Sequence, residues 1–170
     1  WDALQAEAAP IRAAYDAAAT PRLRQTHQDS LLALRERMLT RLRAIRVLDP
    51  ACGSGNFLYV SLQLLMDMEK EVITHPLWLG LPLAIPEVHP HQLYGIEVNP
   101  IAHALTSIVI WIGYLQWRET NGYSGRDRIP ILEPLDGHIL KMDAIMQFDA
   151  DGQPFEPEWP DADIIVGNPP

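Results

Sequence analysis

Three stretches of this chain carry residues whose types and spacing suit chemistry. The first is Val47-Leu48-Asp49-Pro50-Ala51-Cys52-Gly53-Ser54-Gly55-Asn56-Phe57-Leu58. It reads as the end of a buried strand, a tight glycine turn and the start of a helix. Gly53 and Gly55 permit positive φ and a close backbone approach that a Cβ resists, and Ser54 and Asn56 are candidate caps for the helix. Such a turn presents backbone N–H groups at a helix N-terminus. They face the crevice at the carboxyl ends of the strands, where open α/β sheets hold nucleotide-like ligands. The second is Glu97, at the end of Gln92-Leu93-Tyr94-Gly95-Ile96-Glu97-Val98. A carboxylate there has two oxygens for the two adjacent hydroxyls of a ribose. Its distance from the glycine turn exceeds the usual offset of about 20 residues, and a Pro-rich insertion accounts for the excess. The third is Asn168-Pro169-Pro170, which follows the apolar run Ile164-Ile165-Val166. Two prolines remove backbone donors and stiffen the loop, so hydrogen-bond acceptors predominate. Each stretch has a plainer alternative: a ligand-free turn, an exposed strand-end carboxylate, a simple proline turn.

Together the first and third stretches narrow the choice. Asp49-Pro50-Ala51-Cys52-Gly53-Ser54-Gly55-Asn56-Phe57-Leu58 resembles the first motif of S-adenosylmethionine-dependent DNA methyltransferases that modify adenine N6. Asp163-Ile164-Ile165-Val166-Gly167-Asn168-Pro169-Pro170 resembles the catalytic motif of the same family, Asn-Pro-Pro followed by an aromatic. The order, cofactor motif first, is similar to that of type II single-chain restriction–modification enzymes, and the resemblance covers Val47 to Pro170. It implies S-adenosyl-L-methionine as cofactor and a site-specific adenine DNA methyltransferase in a restriction–modification system. Asp49, Pro50, Ala51, Cys52, Gly53, Ser54, Gly55, Asn56 and Phe57 would bind the cofactor. Ile96-Glu97-Val98-Asn99-Pro100 matches the ribose-binding motif at Glu97. Asp143-Ala144 matches the position where an acid accepts a hydrogen bond from the cofactor adenine. Asn168, Pro169 and Pro170 would hold the target amine, the Asn168 side-chain carbonyl and the Pro169 backbone carbonyl accepting its two N–H groups and aiming its nitrogen. The base would have to leave the duplex to reach such a pocket.

Other readings stay open on these residues. Methyl transfer to cytosine N4, RNA or a protein glutamine uses related loops. A NAD-dependent oxidoreductase would want a third glycine where Leu58 stands, and a non-catalytic scaffold would keep the fold alone. Cys52 lies inside the glycine turn, where a small buried residue is needed, and is read as structural rather than as a nucleophile.

Composition bounds these readings. The formal net charge is -9, with 48% hydrophobic and 21% charged residues. Such a surface repels duplex DNA rather than attracting it, so double-stranded DNA is expected to be held through regions outside this stretch. The chain starts at Trp1 and is expected to be a fragment of a longer protein, weak in cofactor binding and inactive alone. One cysteine excludes an internal disulfide. No apolar run suits a bilayer span and no signal-peptide pattern is present, so no membrane partner and a cytoplasmic location are expected. His75, His89 and His91 lie beside prolines, without a carboxylate or cysteine cluster of metal-ligand spacing, and no metal site is expected.

The elements that must position these residues alternate. Residues 1–45 are expected to form an N-terminal helical segment, broken at Thr20-Pro21. Its second helix turns Leu31, Leu34, Met38, Leu42 and Ile45 to one side. Arg35, Arg37, Arg41, Arg43 and Arg46 form a basic patch, read as a solvated face or as DNA-phosphate contacts. Residues 46–170 are expected to form the S-adenosylmethionine-binding methyltransferase core. Strands are expected over 46–49, 92–98, 138–142 and 162–166. A helix over 56–74 should bury Leu58, Leu62, Leu65, Met66 and Met68. A helix from Pro100 should bury Ile101, Leu105, Ile108, Val109, Ile112 and Leu115. The proline-rich 75–91 reads as an ordered packed loop, 129–135 as irregular and 149–161 as a surface loop. The expected class is therefore α/β, a Rossmann-like, doubly wound, mainly parallel sheet. The resemblance implies the class I methyltransferase order 3-2-1-4. The bare edge of the fourth strand is an expected place for self-association.

Overall fold

A computed structural model of the chain describes residues 2–123 and 135–168. It divides into two compact units. One takes in the chain through Ala44 together with Met66–Glu87; the other takes in Ile45–Leu65 and the chain from Val88 onward.

The second unit carries the sheet. Its strands are β1 (Val47–Asp49), β2 (Leu93–Ile96), β3 (Ile139–Leu140) and β6 (Ile164–Ile165), in the order β3-β2-β1-β6, all parallel. This is the expected Rossmann-like α/β arrangement, with the fourth expected strand numbered β6 because a hairpin intervenes. That hairpin, β4 (Gln147–Phe148) with β5 (Pro154–Phe155), is antiparallel and occupies part of the stretch read from sequence as plain loop. Asp149 closes its turn, with Oδ1 accepting from Asp151 N and Gln153 N. The register places the ends of β1, β2 and β6 side by side: Asp49 opposite Gly95, Leu48 opposite Ile165.

Helices α3 (Asn56–Thr74) and α4 (Pro100–Thr120) follow β1 and β2. On α3, Leu58, Leu62, Leu65 and Met66 are buried as expected, whereas Met68 is exposed. On α4 the expected stripe is wrong. Ile101, Leu105, Ile108 and Ile112 face outward, and Thr106, Ile110, Trp111, Gly113, Tyr114 and Trp117 are buried. The helix is apolar almost all round, so periodicity does not pick out a face. The small residues do: a Cβ on Gly113 would lie 2.2 Å from the Tyr59 ring, and one on Gly55 would lie 2.9 Å from Thr106 Cγ2. Those close approaches select the buried side. Asn99 caps α4, its Oδ1 accepting from Ile101 N and Ala102 N, and Pro100 fits the first turn.

In the first unit, α1 (Asp2–Asp16) and α2 (Pro21–Arg43) meet at the expected Thr20-Pro21 break, with Thr20 Oγ1 capping Leu23 N. Leu4, Ala8, Leu31, Leu34, Trp78 and Leu81 form its core. The proline-rich stretch is thus packed at Trp78 and Leu81, while Leu79, Leu83 and Ile85 are exposed. The arginines of α2 are spent largely on this unit. Buried Arg35 donates to Pro82 O, Arg37 pairs with Glu7, and Arg43 pairs with fully buried Glu69 and with Glu87. Of the arginines read as one basic patch, Arg35 is thus buried and Arg43 half-buried, while Arg37 and Arg41 are exposed.

Candidate functional site

The site is built from three strand ends. The backbone leaves β1 through Pro50 and Ala51 into the glycine turn, where Gly53 and Gly55 have φ of +56° and +88°. Gly55 rather than Ser54 or Asn56 precedes the first helical turn: Asn56 is already helical, and Gly55 O accepts from Tyr59 N. Two contacts hold the Gly53 backbone. Its N–H donates to Glu97 Oε2 at 2.8 Å, and its carbonyl accepts from Thr106 Oγ1 at 2.8 Å. The other Glu97 oxygen, Oε1, accepts from Asn99 N at 2.6 Å. The Glu97 carboxylate thus sits at the end of β2, fixed by one amide on each oxygen. Each oxygen retains a second lone pair for a ligand hydroxyl.

Asp49 is the last residue of β1 and is 1% exposed. Its Oδ1 accepts from Ala51 N at 3.0 Å, and its Oδ2 is buried without a hydrogen-bond partner. Burial pushes its carboxyl above the ordinary carboxylate range, the Ala51 amide opposes this, and the nearby Glu97 charge adds to the rise. A buried carboxylate oxygen without a donor is costly and is complementary to a cationic or N–H-bearing ligand.

The loop leaving β6 comes to the same place. Val166 N donates to Leu48 O, and Gly167, at φ +151°, packs so closely that a Cβ there would stand 2.6 Å from Asp49 Oδ1. Asn168 follows directly and is exposed; Pro169 and Pro170 lie outside the described residues. The glycine turn and the Gly167-Asn168 segment therefore leave neighbouring strands, and Gly167 meets Asp49 at the end of β1.

Beside this junction is a cavity of about 510 Å³, lined by Pro50, Ala51, Ile96, Glu97, Val98, Met142, Asp143, Ala144, Ile145 and Trp159. It brings together five of the residues singled out from sequence: Pro50, Ala51, Glu97, Asp143 and Ala144. Asp143 Oδ1 accepts from Ile145 N and Met146 N, which lower its pKa; Oδ2 makes no hydrogen bond among the described residues. Its volume is in the range of small-molecule and cofactor sites, and its apolar lining with a few carboxylates at the rim is their usual character. Asp49, Gly53, Ser54, Gly55, Asn56 and Phe57 lie outside the lining, and Phe57 is exposed. Cys52 is buried, with its thiol pushed up to about 11, mainly by burial; it contacts Thr106 rather than the cavity.

Comparison with known proteins gives the family. Residues 23–170 match the model of the MmeI DNA-methyltransferase domain. The chain belongs to that family. An 85-residue stretch, 49% of this chain, is 41% identical to the protein named DNA methyltransferase A of Bacillus subtilis (strain 168), and spans 10% of that protein. An 86-residue stretch, 46% of this chain, is 30% identical to a putative type II restriction enzyme and methyltransferase of Methanocaldococcus jannaschii, and spans 7% of it. The matched stretches thus cover a tenth or less of the length of these curated relatives. No solved structure matches the chain. Membership makes this a DNA-methyltransferase domain, whose reaction class requires a methyl donor, and the glycine turn and the Asn-Pro-Pro loop fall within the matched residues. No described helix is long and apolar enough to cross a membrane.

Sequence reading missed Trp159, Thr106 and Gly167. Trp159 sits in an irregular acidic stretch with no periodicity to mark it. Thr106 hides in an apolar helix, where a lone hydroxyl is the signal to look for. Gly167 precedes Asn168-Pro169-Pro170, and its contact with Asp49 appears only once β6 is paired with β1.

Proposed function

We propose that this chain carries the cofactor-binding half of a DNA methyltransferase that transfers a methyl group from S-adenosyl-L-methionine to adenine N6, within a restriction–modification system. The observation that carries the proposal is the meeting of Gly167 with Asp49 at the end of β1, beside a cavity rimmed by Glu97 and Asp143. The residues fit the cofactor. The orphaned, buried Asp49 Oδ2 suits the ammonium of its methionine end. The free lone pairs of Glu97 suit its ribose hydroxyls, and Asp143 Oδ2 suits an adenine amino group. Pro50, Ala51, Ile96, Val98 and Ala144 supply apolar walls for a purine. When bound, the cofactor supplies a sulfonium-linked methyl, an electrophile that needs no covalent enzyme intermediate. Cys52 has no part in such a transfer, being buried and held as the thiol.

On this proposal Asn168 and Pro169 accept the two N–H groups of the target amine. The loop's tight seat on Asp49 through Gly167 keeps that amine next to the methyl donor. Duplex DNA is engaged through other parts of the parent protein, since a surface of formal charge -9 disfavours phosphate contact. The β6 edge, with Ile164 and Ile165 exposed, is a place for pairing with another copy.

Isothermal titration of the 170-residue chain with S-adenosylmethionine and, separately, NAD tests the cofactor assignment. Heat with the former and none with the latter is expected. Binding of NAD alone would favour an oxidoreductase and end the proposal. Incubation with tritiated donor and duplex DNA should show no methylation by the chain alone, and turnover would contradict the assignment of DNA contacts to other regions.

A further inference from the structure

Trp159 has a position that nothing in its local sequence explains. It lies on an irregular stretch between β5 and β6 and, among the described residues, is the only aromatic side chain lining the 510 Å³ cavity. The indole is not loose. Its Nε1–H donates to Ala144 O at 2.7 Å, which ties the ring to the Asp143-Ala144 loop. The ring nevertheless remains 41% exposed. A large aromatic held by its polar edge, with its body left open on an apolar cavity, is arranged to receive a flat ligand. The surrounding chemistry states which kind. Glu97 offers acceptors for a diol, Asp143 offers an acceptor for an exocyclic amine, and Pro50, Ile96, Val98 and Ile145 offer apolar contact. That set is complementary to an adenine nucleoside.

We propose that Trp159 is a ligand-contacting residue that packs its indole against the adenine of the cofactor, and that its hydrogen bond to Ala144 positions the Asp143 carboxylate for the same base. The stretch before β6 and the turn after β3 then form one wall of the cavity. Removing the indole weakens the site in two ways: the stacking surface goes, and Asp143 loses the neighbour that holds its loop. The proposal rests on the S-adenosylmethionine reading above, and its test is arranged so that the two can fail separately.

The experiment uses the 170-residue chain with S-adenosylhomocysteine, a stable cofactor product. Wild type, Trp159→Phe and Trp159→Ala are titrated by calorimetry and by indole fluorescence. The expected results are a loss of affinity of about tenfold or more for Trp159→Ala and a smaller loss for Trp159→Phe, which keeps an aromatic face but not the bond to Ala144. The ligand-induced change in fluorescence expected in wild type should be lost in Trp159→Phe, because among the described residues the other tryptophans, Trp78, Trp111 and Trp117, are buried and do not line the cavity. The Phe variant keeps the test decisive should the Ala variant fold poorly. Wild-type affinity in Trp159→Ala, or an unchanged fluorescence response in Trp159→Phe, overturns the role of Trp159 and leaves the cofactor reading intact. Absence of binding to wild type defeats the cofactor reading, and the Trp159 proposal with it.

Discussion

Asp49→Asn should make the ligand-free protein more stable and the site weaker. The wild-type carboxylate is 1% exposed, receives one amide on Oδ1 and none on Oδ2, and faces the charge of Glu97. An unpaired buried acceptor costs about 1–3 kcal/mol, and its charge adds to that. The asparagine keeps an acceptor for Ala51 and removes the charge, but leaves an NH₂ group without a partner. The net gain is therefore only the smaller part, about 1 kcal/mol, or about 2–4 °C in Tm for a chain of this size. The pH dependence has a definite sign. The folded Asp49 pKa is raised above its ordinary 3.8, so the folded state holds the proton more tightly than the unfolded chain. The resulting stabilisation is complete below 3.8 and is lost as pH rises through the folded value. The melting curves of wild type and variant should thus lie closest in acid and separate toward neutrality. With S-adenosylhomocysteine the order reverses: wild type gains a charged partner for the ligand ammonium, and the variant should bind at least about tenfold more weakly, about 1.4 kcal/mol. Differential scanning fluorimetry across pH, with and without this ligand, reads all three effects. A variant that melts below wild type at neutral pH, or that gains as much from the ligand, would refute the reasoning.

Other perturbations probe the same junction. Glu97→Ala removes the acceptors of Gly53 N and Asn99 N as well as those for the ligand. Thermal unfolding should show a loss of about 2–3 kcal/mol after allowing for solvent replacement, and calorimetry a loss of about 1–3 kcal/mol in cofactor binding; unchanged affinity would remove Glu97 from the site. Gly167→Ala places a Cβ 2.6 Å from Asp49 Oδ1 at a φ of +151°. It should cost about 1–3 kcal/mol in strain and weaken cofactor binding, and a wild-type melting temperature would mean that the two loops are not packed as described. Cys52, with its pKa at about 11 and its side chain buried, should resist thiol reagents in the native state until the solution is strongly alkaline. Rapid labelling near neutral pH would contradict its place inside the turn.

Much of the site was legible because it is made of consecutive residues at strand ends. Val47 to Phe57 announces itself through glycines that local geometry demands, and Glu97 through its place at the end of an apolar run. That β1, β2, β3 and β6 run parallel follows from strand–helix alternation, while their order is the one the family resemblance implies. What escaped depends on approach in space. The outward side of α4 could not be told from the inward side, because isoleucines lie on both, and Tyr59 against Gly113 settles the matter only in three dimensions. The hairpin of β4 and β5 is too short for its alternation to register. Arg35 reads as a surface cation until its guanidinium is seen to donate to Pro82 O from a buried position. Trp159 reaches the cavity because the stretch before β6 folds back to Ala144, a return that no spacing encodes.

The doubly anchored Gly53 backbone has a wider consequence. With Glu97 accepting from its N–H and Thr106 donating to its C=O, the two peptide groups on either side of Gly53 Cα link a strand terminus to a neighbouring helix. A ligand that drew Glu97 aside would tug on that link and nudge α4, so occupancy would be felt on the far flank of that helix, where Ile101, Leu105, Ile108 and Ile112 meet solvent. Exchange of Thr106 for valine, which has the same outline without the hydroxyl, would cut that mechanical link while leaving every carboxylate in place.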